Sequence, residues 1–109
     1  MKTNNQDARI FDGIQALDKV IHEPARISIL TLLYFVDSAD FLYIMGQAGL
    51  TQGNLSFHMT KLEAAGYIIV EKRFKNKRPN TLIRISDRGR EEYKKYILTL
   101  RQFVKGIEL

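Results

Sequence analysis

The stretch Gly49-Leu50-Thr51-Gln52-Gly53-Asn54-Leu55-Ser56-Phe57-His58-Met59-Thr60-Lys61-Leu62-Glu63-Ala64-Ala65-Gly66 decides the fold. Gly49 is a good stop for a short helix over Phe41 to Ala48, because glycine accepts the left-handed backbone that ends helices. Thr51 then offers a hydroxyl to cap a new helix reaching about Ala65, and Gly66 closes it. A short helix, a tight turn at Gly49-Leu50 and a longer helix, in that order, have the spacing of a helix-turn-helix. At about 100° per residue, Leu55, Met59, Leu62 and Gly66 share the side that faces a core. Gly53, Phe57, Thr60, Lys61 and Ala64 share the other, flanked by Asn54 and Ser56. The helix holds one acid, Glu63, toward a flank. Near its N-terminus the outer face is therefore small, uncharged-polar and basic.

Downstream, the residue types change. Tyr67 to Phe74 is rich in β-branched and aromatic residues, with Ile68, Val70 and Phe74 on one face. Lys75-Asn76-Lys77-Arg78-Pro79-Asn80 reads as a polar turn, and Thr81 to Ile85 as a second strand with Ile83 and Ile85 on one face. The result is a two-stranded hairpin with a basic tip. Ser86 can cap a last helix running to about Lys105, with Asp87 in its first turn favourable to the helix dipole. Tyr93, Tyr96, Ile97, Leu100, Phe103 and Val104 form a continuous apolar stripe on that helix.

Upstream, residues 1–8 read as a polar tail, and residues 9–109 as one domain. Ile10, Ile14, Leu17 and Ile21 fall at helical spacing and predict a first helix. Pro24 suits the first turn of a second helix. Its stripe of Ile27, Ile29, Leu30, Leu32, Leu33, Tyr34 and Phe35 marks it as the buried centre. Asp37-Ser38-Ala39-Asp40 reads as a turn, its two acids as turn formers.

The fold class is thus α+β and mostly α: a winged helix-turn-helix with a two-stranded hairpin wing. The first and last helices carry apolar stripes that a 109-residue body cannot cover alone. Their pairing across a two-fold axis predicts a dimer through Ile10, Ile14, Leu17, Tyr93, Tyr96, Ile97, Leu100, Phe103 and Val104.

Charge points to the partner. Residues 1–60 carry four bases against six acids, and residues 61–109 carry thirteen against six, within a net charge of +5. A positive field concentrated in one half suits a polyanion, nucleic acid before anionic membrane. A helix can offer side chains to base edges in the major groove while a basic loop beside it tracks phosphates. On that logic Gln52 and Asn54 suit adenine edges, Phe57 and Thr60 thymine methyls, and Thr51 and Lys61 phosphate. Gly53 and Ser56 permit close approach, and Arg73, Lys75, Lys77 and Arg78 of the wing reach the backbone. Strand alternation makes Lys72 the least secure member of the wing's basic run.

The exclusions are equally physical. No cysteine means no disulfide framework, thiol catalysis or thiolate metal site, and two histidines do not make a histidine-rich one. No glycine-rich phosphate loop and no carboxylate pair in an apolar setting is visible, so the chain does not read as an enzyme. No run approaches the ~20 apolar residues of a membrane span, and the N-terminus has no apolar signal core, so a cytoplasmic location is expected. No cofactor is expected. Tyr34, Tyr43, Tyr67, Tyr93 and Tyr96 read as core or dimer interface rather than as an effector pocket. His22 and His58 read as packed, locally hydrogen-bonded side chains, and Arg26 as an ion-pair partner for a nearby acid.

Five segments also resemble a known group. They are Ile21-His22-Glu23-Pro24-Ala25-Arg26, Gly49 to His58, Lys61-Leu62-Glu63-Ala64-Ala65-Gly66-Tyr67, Glu71-Lys72-Arg73-Phe74 and Ser86-Asp87-Arg88-Gly89-Arg90. Over residues 15–100 they resemble the small single-domain winged-helix regulators related to the MarR and ArsR families. The resemblance implies a homodimeric transcription regulator on pseudo-palindromic operator DNA, with Thr51, Gln52, Gly53, Asn54, Ser56, Phe57, Thr60 and Lys61 facing DNA and the wing tip near the minor groove. Phe57 departs from the small residue usual at its position. The cysteines and histidines of ArsR-type metal sensors are absent. The competing reading is a winged-helix protein–protein interaction module without sequence-specific DNA binding, since a fold alone does not settle function. Structured RNA is a weaker third, because its deep major groove excludes a helix.

Overall fold

The computed structural model describes residues 12–109. Its elements are α1 (Pro24–Val36), β1 (Ser38–Asp40), α2 (Phe41–Ala48), α3 (Gln52–Ala64), β2 (Ile68–Lys75), β3 (Arg78–Ile85) and α4 (Asp87–Lys105), preceded by a helical stretch over residues 12–15. The strands form one antiparallel sheet in the order β1-β3-β2.

Side-chain caps set the helix starts. The Glu23, Asp40, Thr51 and Ser86 side chains accept the backbone N–H of Arg26, Tyr43, Asn54 and Gly89 respectively. Each satisfies a donor with no intrahelical partner. Gly49 ends α2 with φ 65°, a left-handed turn that brings Thr51 directly into position to start α3. The core joins Ile29, Leu30 and Leu33 of α1, Ile44 of α2, Leu55, Met59 and Leu62 of α3, Ile68, Ile83 and Ile85 of the sheet, and Tyr93 and Tyr96 of α4.

Three departures from the sequence reading have local causes. The helix expected from Ile10 to Ile21 is helical only over residues 12–15 within the described chain, and Ile10 itself lies outside the described residues. Beyond it, the Asp18 carboxylate accepts the N–H groups of Val20 and Ile21, and this turn chemistry replaces the helical ladder. Leu17 and Ile21 still reach the core.

Second, Ser38–Asp40 is a strand, not a turn. It pairs with Arg84, Ile83 and Leu82, so the hairpin is extended to three strands at its base. Asp37 takes the turn alone at φ 71°, and Arg90 Nη2 donates to its Oδ1 at 2.7 Å.

Third, the wing turn is shorter than its polar sequence suggests. The ladder runs to Lys75↔Arg78, leaving only Asn76 and Lys77, both at positive φ. Two successive left-handed residues match the twist of a tight hairpin. Phe74, expected beside Ile68 and Val70 on a buried face, is 77% exposed because β2 runs out past the body that covers its first residues.

The stripe on α4 also divides. Tyr93 and Tyr96 are buried inside the single chain with Leu17. The Tyr93 and Thr31 hydroxyls share a 2.7 Å hydrogen bond, and Tyr96 Oη shares another of 2.7 Å with His22 Nδ1. Ile97, Leu100 and Phe103 are half-buried, while Ile14 and Val104 are exposed, as are Leu98 and Ile107. The free apolar surface of α4 is thus its C-terminal half rather than the whole stripe.

Candidate nucleic-acid interface

α3 has two chemically distinct sides. Leu55, Met59 and Leu62 are buried and anchor it to α1 and β2. Thr51, Gln52, Gly53, Asn54, Ser56, Phe57, Thr60 and Lys61 are all exposed. No acid lies in its first turn. The unpaired N–H groups of that turn add partial positive charge to the end that carries Gln52, Gly53 and Asn54. Thr51 accepts the Asn54 N–H on its hydroxyl at 3.2 Å, so its side chain caps the helix. Thr60 donates to the Ser56 carbonyl at 3.0 Å.

Phe57 stands out from this face at 54% exposure. Lys61 Nζ lies 5.5 Å from its ring centroid and the His58 ring meets it edge-on, so the phenyl ring has a defined orientation. His58 turns inward. Its Nδ1 lies 3.5 Å from Glu23 Oε2, and Arg26 Nε lies 3.8 Å from the same oxygen. The Glu23 carboxylate thereby serves the start of α1 and faces α3 at once. Arg26 also donates to the Val20 carbonyl at 3.0 Å.

The wing stands beside α3. Its Arg73, Lys75, Lys77 and Arg78 are exposed, and Arg73 Nε donates across the ladder to Asn80 Oδ1 at 3.0 Å. Between helix and wing runs an open groove lined by Gln52, Ser56, Thr60 and Glu63 of α3 and by Val70, Lys72 and Thr81 of the sheet. Lys72 is thus the cation of the wing's basic run that lines this groove. Strand alternation, which made Lys72 the least secure of the basic run, instead puts it with half-buried Val70 on the side that faces α3. Glu63 faces the same groove, so an approaching phosphate meets a carboxylate at the helix's C-terminal end.

The base of the wing is tied down. The Tyr67 hydroxyl donates to Asp18 Oδ2, and the Arg88 guanidinium lies 5.9 Å from the Tyr67 ring centroid. Burial first, and the Asp18 carboxylate second, push the Tyr67 hydroxyl up to about 12. Burial likewise pushes Tyr96 up. Among the described residues no group of three histidine, cysteine or carboxylate side chains is placed to hold a metal ion, and no helix is long and apolar enough to cross a membrane.

This architecture is that of the small winged helix-turn-helix regulators. A family model for a winged helix DNA-binding domain matches residues 25–104, and the chain belongs to that family. An uncharacterised protein of Methanocaldococcus jannaschii is 37% identical over 90 residues, 83% of this chain and 98% of that one. The structure of a transcriptional regulator homologue from Pyrococcus horikoshii superposes with a TM-score of 0.83 at 28% identity, covering 94% of this chain and 99% of the other. A homodimeric winged helix-turn-helix domain from Mycobacterium bovis, a possible ArsR-family regulator, shares the fold at 16% identity with a TM-score of 0.65, over 98% of this chain and 95% of that one. MarR-family regulators share it as well.

Proposed function

We propose that the chain is a homodimeric, sequence-specific regulator that places α3 in the major groove of duplex DNA and its wing on the flanking backbone. The observation that carries this reading is the groove between α3 and the wing. Gln52, Ser56 and Thr60 face Val70, Lys72 and Thr81 across it, Asn54 and Phe57 are exposed on the same helix, and the paired ribbon carries the exposed Arg73, Lys75, Lys77 and Arg78. Gln52 and Asn54 offer the amide pair that recognises adenine, and Phe57 and Thr60 offer apolar contact to a thymine methyl. Lys61, Lys72 and the wing cations supply phosphate contacts, which fix register without reading sequence. No step of covalent chemistry is required of any residue, and the family and fold are those of transcription regulators rather than enzymes.

Dimerisation is argued from the exposed Leu98, Val104 and Ile107 on and beyond the second half of α4, with Ile14 also exposed. Two copies joined there would present two α3 helices, and half-sites about 34 Å apart meet successive major grooves on one side of the duplex.

Selection of binding sites from a random duplex pool with the full chain, alongside measurement of its mass in solution, tests the reading. The expected result is an inverted repeat and a dimer mass. A pool that stays unenriched even at low salt would instead favour a protein-interaction module.

A further inference from the structure

We propose that Phe74 is a wedge: when the wing seats on DNA, its ring enters the minor groove and partly unstacks one base step, bending the duplex at each half-site. This rests on the DNA-binding reading above and adds to it a deformation of the ligand.

The placement follows from alternation. Lys72 lines the groove with Ser56 and Thr60, whereas Ile69, Glu71, Leu82 and Arg84 line the opposite surface of the sheet. Phe74 is two positions beyond Lys72, hence on the α3 side of the ribbon. At 77% exposure its ring has almost no partner within the chain. It stands at a paired position of the ladder, free to be covered by whatever the wing seats on.

The frame is stiff. Phe74 pairs with Pro79, the next pair is Lys75↔Arg78, and the turn is only Asn76-Lys77. Two apolar rings therefore sit side by side one pair from the tip of a fully laddered ribbon. Lys72 precedes them on the same face and Lys77 sits in the turn, while Arg73, Lys75 and Arg78 project from the opposite face of the same ribbon, all of them exposed. That charge opposes the approach of a second copy's equally cationic wing and favours a polyanion. A bare phenyl ring near the tip of a ribbon with cations on both faces suits a groove whose walls are phosphates and whose floor is stacked bases. Apolar side chains inserted there kink duplexes by roughly 20–90°.

The test uses the full chain and its selected operator, with 2-aminopurine placed in turn at each step flanking the α3 contacts and with fluorophores on the duplex ends. Wild type should raise 2-aminopurine emission at one step per half-site and shorten the end-to-end distance. Phe74→Leu, still an apolar wedge, should keep both signals. Phe74→Ala should lose both and bind about tenfold more weakly. Its salt slope should not change, since the phosphate contacts remain. Thermal unfolding of both variants should match wild type, because the ring is exposed. Wild type binding its operator without unstacking would overturn the wedge and leave the DNA-binding reading intact. So would a Phe74→Ala variant that deforms the duplex equally, or one whose only change is a smaller mass in solution. Absence of any duplex binding would sink the underlying reading, and the wedge with it.

Discussion

Gly89, in the first turn of α4, lies directly against the backbone of Tyr67, the residue that leads into the wing. A β-carbon at position 89 would fall within the van der Waals shell of the Tyr67 carbonyl oxygen, 2.9 Å from its carbon and 3.0 Å from Ile85 Cγ1. That carbonyl also accepts the Ser86 N–H at 3.0 Å, while Ser86 Oγ donates to the Gly66 carbonyl at 2.6 Å. The end of α3, the base of the wing and the start of α4 therefore meet at one backbone junction.

Gly89→Ala should destabilise the protein by at least roughly 1–3 kcal/mol, because the clash is with backbone and cannot be relieved by a rotamer change. Urea unfolding measures this directly. An unchanged midpoint would mean that α4 can shift away from Tyr67 at no cost.

Ser86→Ala removes both the α4 cap and the donor to Gly66, so stability should fall by about 1–2 kcal/mol. Since Ser86 and Gly89 share one junction, the double variant should be destabilised by less than the sum of the singles. A full thermodynamic cycle by urea titration checks it, and strict additivity would contradict the coupling of the two residues.

Alkaline pH should loosen the wing base. The Tyr67 hydroxyl is raised in the fold from 10.0 to about 12, first by burial and then by its hydrogen bond to Asp18. The unfolded chain ionises first as pH rises, so this contribution to stability is complete below pH 10 and is lost as pH climbs through 12. Tyr67→Phe should be less stable than wild type at neutral pH, having left the Asp18 carboxylate without its donor. The gap should narrow above pH 10, where only wild type bears the cost of keeping the phenol neutral. Equal alkaline slopes for the two proteins would count against the shift.

Neutralising Arg73, Lys75, Lys77 and Arg78 to glutamine should flatten the log–log salt dependence of DNA affinity, by up to about 0.9 for each phosphate that the wing no longer neutralises. Asn54→Ala should behave differently: preference at one base position should relax by about 1–3 kcal/mol, with little change in slope. Competition binding with single-base operator variants separates the two effects.

Val104→Glu tests the dimer. Val104 is exposed near the end of α4, so the charge should leave the fold of one copy intact while lowering the solution mass from dimer to monomer. Operator affinity should fall steeply with it, because a single α3 reads only half a site. A variant that stays dimeric would move the interface away from this surface.

The helix-turn-helix was readable from sequence because its determinants are local. Gly49 supplies a left-handed turn, Thr51 a cap one residue before α3, and Leu55, Met59 and Leu62 a buried stripe, all within a few residues of one another. Ser86 announces α4 by the same capping chemistry. The exposed side of α3 and the charged wing were legible for the same reason: periodicity assigns faces once the element type is known.

Long-range pairing was beyond that kind of reading. Two small residues between two aspartates spell a turn, yet Ser38–Asp40 is a strand because β3, more than forty positions away, offers its free edge. Asp18 breaks the first helix by binding the N–H groups of Val20 and Ile21 and holds Tyr67 across the fold. Tyr93 and Tyr96 carry the same stripe pattern as Val104, but only packing against Thr31 and His22 takes them into the core. Phe74 looks from alternation like another inward residue of β2; it is bare because no element reaches that far along the ribbon. Local chemistry determines what each segment is, whereas what each face meets depends on which distant segments arrive to cover it.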